Sequence, residues 1–107
     1  MTSGEVSGTA AIDRLIHEPA RRIILTILNA AESADFLYLL RETGLSKGNL
    51  SSHLSKLEAA GYVAIEKTFR GKVPLTICRL TDIGRTAFCN YRDYLVHAVA
   101  SMTRRSW

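Results

Sequence analysis

Cysteine is scarce in this chain of 107 residues: Cys78 and Cys89 are the only two. Neither belongs to a CxxC pair, which excludes a disulfide scaffold and leaves both as reduced structural thiols. Unbroken apolar runs stop after a few residues, as at Ile23-Ile24-Leu25, far short of the ~18 needed to span a bilayer. The opening segment, MTSGEVSGTA, has neither a basic start nor an apolar stretch, so a secretory leader is not expected. A glycine-rich phosphate loop and a clustered pair of acids are both missing, and catalysis is not expected. The length also excludes large enzyme scaffolds, since a (β/α)₈ barrel needs roughly 250 residues. What remains is one intracellular domain, 47% hydrophobic and 22% charged, close to the globular average. Fourteen Lys and Arg against ten Asp and Glu leave a net charge of +4. A basic balance of this kind favours a polyanionic partner.

Hydrophobic spacing organises the rest. Residues 1–10 hold little to bury and read as a mobile tail. Ile12, Leu15 and Ile16 form an i, i+3, i+4 stripe on a short helix. Pro19 suits the first turn of the next one, which runs to about Asn29 with Ile23, Ile24, Ile27 and Leu28 on one face. Ser33 is the expected N-cap of a third helix, DFLYLLRET, stopped by Gly44 in a left-handed conformation. Leu45 alone separates that glycine from Ser46, the cap of a fourth helix over about Lys47–Ala60. Two short helices joined by Gly44-Leu45-Ser46 make a helix-turn-helix signal.

After Gly61 the period shifts towards two, predicting a strand over Tyr62–Lys67, a polar tip at Thr68–Lys72 and a returning strand over Val73–Leu80. Pro74 places the start of the second strand at an edge or a bulge. Thr81 caps a last helix running to about Thr103. Along it Phe88, Tyr91, Leu95, Ala98 and Met102 recur at coiled-coil spacing. Together with Ile12, Leu15 and Ile16, this seam is expected to close a two-fold dimer; the alternative is that the helix folds back on its own domain.

The segments LIHEPARRIILTIL, DFLYLLRETGLSKGNLSSHLSKLEAAGYVAIEK and FRGKVPLTICRLTDIGR resemble winged helix-turn-helix transcriptional regulators of the MarR/ArsR-like superfamily. The resemblance covers roughly Leu15–Arg85 and is most specific over Gly44–Val63. It implies an α+β, mainly helical fold with a two-stranded wing and a long C-terminal dimerisation helix, over residues 11–107. It also implies a cytoplasmic, nucleoid-associated homodimer that binds double-stranded DNA.

The fourth helix supports that implication on its own chemistry. Leu50, Leu54 and Leu57 share one stripe, while Ser52, Lys56, Asn49 and Ser55 point the other way. Short polar and cationic side chains without a carboxylate suit base edges and phosphates. Asn49, Ser51, Ser52 and Ser55 are the candidates for base edges. Ser46, Lys47, His53 and Lys56 are candidates for the backbone, joined by Lys72 and Arg70 at the wing, with entry into the minor groove as the alternative for Arg70. Glu58, near the helix end, is expected away from the groove. Some members of the superfamily sense metals, but the third helix here has no cysteine. His17, His53, His97, Cys78 and Cys89 show no zinc-site spacing, so neither metal nor cofactor is expected. Cys89 and His97 lie about two turns apart on one helix, too far for a nucleophile pair. A winged helix used only to bind protein, and a small-ligand or redox sensor, are the competing readings.

Overall fold

The computed structural model describes residues 13–105, so Ile12 and the expected tail lie outside the described residues. The elements run α1 (Arg14–His17), α2 (Pro19–Ala31), β1 (Ser33–Asp35), α3 (Phe36–Thr43), α4 (Lys47–Ala59), β2 (Val63–Arg70), β3 (Val73–Leu80) and α5 (Asp82–Arg105). This is a winged helix: a mainly helical body, a small antiparallel sheet and a long final helix.

Capping residues explain most of the boundaries. Asp13 accepts from the backbone N–H groups of Leu15 and Ile16 at the start of α1. Glu18 accepts from Arg21 N–H at 2.9 Å, and Pro19 opens α2 where a missing N–H costs nothing. The helix does not break at Asn29 as expected but continues to Ala31. It ends at Glu32, whose φ is +69° and whose N–H returns to Leu28 O at 2.9 Å. Its buried face also differs from expectation: Leu25 is fully buried, while Ile23 is 48% exposed. At about 100° per residue, Ile24, Leu28 and Leu25 form the stripe facing the interior, and Ile23 falls outside it.

The largest correction concerns Ser33. It caps no helix; Ser33–Asp35 is a strand, paired antiparallel to β3 as Ser33↔Arg79, Ala34↔Cys78 and Asp35↔Ile77. Asp35 takes the capping role, accepting from Tyr38 N–H at 2.8 Å. The sheet order is therefore β1-β3-β2, three strands at the base and two towards the tip. Three residues are too few to show a period of two in sequence. Pro74 pairs with Phe69, whereas β1 meets β3 only from Ile77, so Pro74 stands where β3 is still an edge.

The core joins all these parts. Leu50, Leu54 and Leu57 of α4 are buried with Ile24, Leu25 and Leu28 of α2, Leu39 of α3, and Ala34, Val63, Cys78 and Leu80 of the sheet. Ile16, Phe88 and Tyr91, expected at a dimer seam, belong to this same core at 0%, 8% and 2% exposure. Over its first turns α5 thus folds back on its own domain. Gly84 permits the approach, since a Cβ there would stand 2.1 Å from Tyr62 O.

Candidate DNA-binding surface

The turn between α3 and α4 is three residues long. Gly44 takes φ +70°, left-handed backbone that a side chain disfavours, and its N–H returns to Leu40 O at 3.1 Å. Leu45 packs against the core, pinning the turn from below. Ser46 then caps α4, its Oγ accepting from Asn49 N–H at 3.1 Å. A short turn with an anchored leucine and a cap at each junction fixes the angle at which α4 leaves the body.

With three leucines turned inward, the rest of α4 is presented to solvent. Ser46, Lys47, Asn49, Ser51, Ser52, Ser55 and Lys56 are all exposed. His53 is half-buried on the flank towards α2, where Arg21 Nη1 donates to its Nδ1 at 3.1 Å. Arg21 is itself anchored, its Nε donating to Leu15 O at 2.6 Å. Beneath this pair, burial pushes the Glu18 carboxyl up, but the Arg21 N–H, the nearby His53 and the Ala20 N–H outweigh it and hold it below the usual carboxylate range.

On its other flank α4 borders an open cleft of about 560 Å³. Ser51, Ser55 and Glu58 form one wall, Ile65, Lys67 and Thr76 of the sheet the other, with Leu54 and Phe36 also lining it. Glu58 is therefore not remote from this surface; it shares a flank with Ser51, seven residues and about two turns earlier. Lys67, Thr76 and Phe36 went unnoticed in the sequence. A lysine on the inward face of a strand was the one available signal. Behind the cleft, burial, then the Glu58 and Asp35 carboxylates, push the Cys78 thiol up to about 11. It is protonated at neutral pH and packs as a small apolar side chain.

The wing closes on a two-residue turn, Gly71-Lys72, with positive φ only at Gly71, the pattern of a type II′ hairpin. Arg70 and Lys72 are exposed there. Leu15 of α1 and Leu95 of α5 pack partly against the core; further along α5, Ala98 is half-exposed and Met102 is 68% exposed. Among the described residues, no three His, Cys, Asp or Glu side chains come together as a metal site. None of the described helices is long and apolar enough to cross a membrane.

A turn-anchored helix offering an uncharged and cationic face beside a basic hairpin is the geometry of a DNA-binding regulator. Comparison with known proteins agrees. Residues 20–99 match the family described as the winged helix DNA-binding domain, and the chain belongs to that family. It is 39% identical to an uncharacterized protein of Methanocaldococcus jannaschii over 79 residues, 73% of this chain and 85% of that protein. Its fold is similar to a transcriptional regulator homologue from Pyrococcus horikoshii OT3, with TM-score 0.80 and 26% identity over 84% of this chain and 89% of that one. The regulator BldR from Sulfolobus solfataricus shares the fold at TM-score 0.59 and 21% identity, over 92% and 72% of the two chains. The protein is a winged-helix DNA-binding protein, with a fold that transcriptional regulators share.

Proposed function

We propose that the protein acts as a homodimer on a specific duplex operator in the cytoplasm, with α4 in the major groove and the wing at the adjoining minor groove or backbone. The observation carrying this reading is the exposed surface of α4 from Ser46 to Lys56, which contains no carboxylate and borders a cleft whose far wall carries Lys67 of β2. Asn49 pairs bidentately with adenine, and Ser51, Ser52 and Ser55 approach neighbouring base edges. Ser46, Lys47, His53, Lys56, Arg70 and Lys72 hold the backbone.

The second copy docks on the distal part of α5. Leu95, Val96, Val99 and Ala100 line an open, wholly apolar concavity there, and a surface of this kind favours burial against another apolar face. Two-fold symmetry then sets the two α4 helices in successive major grooves about 34 Å apart, so the operator is an inverted repeat.

A salt titration of binding tests this, using a duplex that the parent protein selects from a random pool and a scrambled duplex as control. Lys56→Ala flattens the slope of log K against log[salt] by about 2 for the dimer and weakens both duplexes alike. Asn49→Ala narrows the difference between the two duplexes with little change of slope. If neither variant alters affinity or slope, this surface does not meet DNA, and the fold serves a protein partner instead.

A further inference from the structure

The register of the hairpin sorts its side chains into two faces. Val63, Ile65, Lys67 and Phe69 of β2 stand opposite Leu80, Cys78, Thr76 and Pro74 of β3, and a period of two puts all eight on one side. That side begins in the core, where Val63, Cys78 and Leu80 are buried. It lines the α4 cleft at Ile65, Lys67 and Thr76. It ends at the tip with the directly opposed pair Phe69 and Pro74. Arg70 belongs to the other side, with Glu66 and Thr68.

Phe69 is 68% exposed, an apolar ring near the tip of a hairpin that also exposes Val73 and the cations Arg70 and Lys72. The adjacent two-residue turn fixes its strand, and the opposing proline stiffens the backbone across from it. The ring thus lies on the face that continues the α4 cleft, and Arg70 and Lys72 follow it in sequence around the turn. A polyanion is the partner these cations complement, and its minor groove offers apolar sugar edges and base steps to a ring held this way.

We propose that Phe69, backed by Pro74, is the wing's contact inside the minor groove, an apolar wedge beside the cations of the wing tip. This rests on the DNA-binding reading above and adds to it a residue that carries no charge. Its signature is affinity without salt dependence.

The test measures Phe69→Ala, Phe69→Leu and Lys72→Ala on the duplex selected by the parent protein, across a salt series and with hydroxyl-radical footprinting. Phe69→Ala is expected to weaken binding about tenfold, the order of effect for burying a large apolar side chain, with the salt slope unchanged. Protection of the sugars in the flanking minor groove should disappear while protection around the α4 groove persists. Phe69→Leu should recover most of the affinity, and Lys72→Ala should flatten the slope by about 2. Parent-like affinity, an unchanged footprint, or a slope that falls with the affinity in Phe69→Ala each overturns the wedge. So does a change of oligomeric state in sedimentation with DNA binding intact, which assigns the ring to a contact between copies. If Asn49→Ala and Lys56→Ala act while Phe69→Ala is silent, only the wedge fails; if all three are silent, the DNA surface itself fails.

Discussion

The two halves of α5 carry comparable apolar spacing and meet opposite environments. In the first half Phe88 and Tyr91 are buried at 8% and 2% exposure. The Tyr91 hydroxyl hydrogen-bonds His17 Nδ1 at 2.7 Å and accepts from Arg22 Nη1 at 3.3 Å, tying α5 to α1 and α2. Arg85 adds a bond from Nη1 to Asn29 Oδ1 at 2.8 Å. In the second half Val96 and Val99 are 60% and 61% exposed. The difference teaches that one helix can meet two environments. Where the rest of the chain reaches α5, its apolar residues complete the monomer's core; beyond that reach, Val96 and Val99 beside the seam stay exposed.

The sharpest way to break the first half is at its closest contact. Gly84→Ala places a Cβ 2.1 Å from Tyr62 O and 2.8 Å from Tyr62 C, and backbone cannot rotate aside as a side chain can. Overpacking of this severity should destabilise by about 3–5 kcal/mol, read as a lowered urea midpoint. A midpoint within experimental scatter of the parent would mean that α5 is not seated against Tyr62.

Val99→Asp tests the second half. An exposed site of this kind should change the stability of the folded monomer by no more than about 0.5 kcal/mol. Sedimentation should nevertheless show dissociation of the dimer, and operator affinity should fall with it. Leu95 is a poorer target, because it also packs against the core and a charge there confounds assembly with folding. An unchanged dimer in Val99→Asp removes the distal half from the interface.

The smallest effect concerns the junction under the first half. Tyr62 donates to Asp13 Oδ2 at 2.5 Å; burial, that hydrogen bond and the Asp13 charge push its phenol up to about 12. The unfolded phenol titrates near 10. The folded state therefore holds its proton more tightly, and the stability it contributes is complete below pH ~10 and lost as pH rises towards 12. Tyr62→Phe should lower stability at pH 7 by about 1 kcal/mol and make the decline between about pH 10 and 12 shallower. An equally steep decline in that variant would place the responsible proton elsewhere.

Local chemistry was enough for much of this molecule. The helix-turn-helix could be read because its signals are short-range: Gly44 for a positive φ, Ser46 for a cap, and leucines at 50, 54 and 57 for a buried stripe. The outward set on α4 followed from the same periodicity, since whatever is not turned inward on a helix faces solvent. The hairpin, Pro74 at an edge and Thr81 as a cap, its Oγ accepting from Gly84 N–H at 2.9 Å, were legible for the same reason. Each needs information from a few neighbouring residues only.

Tertiary structure decided what depends on distant neighbours. Ser33–Asp35 became a strand because β3 lay alongside it, not through any pattern of its own. Phe88 and Tyr91 went to the core, and Val96 and Val99 to the exposed face, because the body of the domain ends beside the middle of α5. Glu58 and Lys67 came to line one cleft because α4 and β2 pack together, and Phe69 was set on its continuation by the hairpin register. Periodicity tells which residues share a face; it cannot tell what that face will meet. That is settled when separate elements exclude water from one another, a property of their packing and not of any one segment.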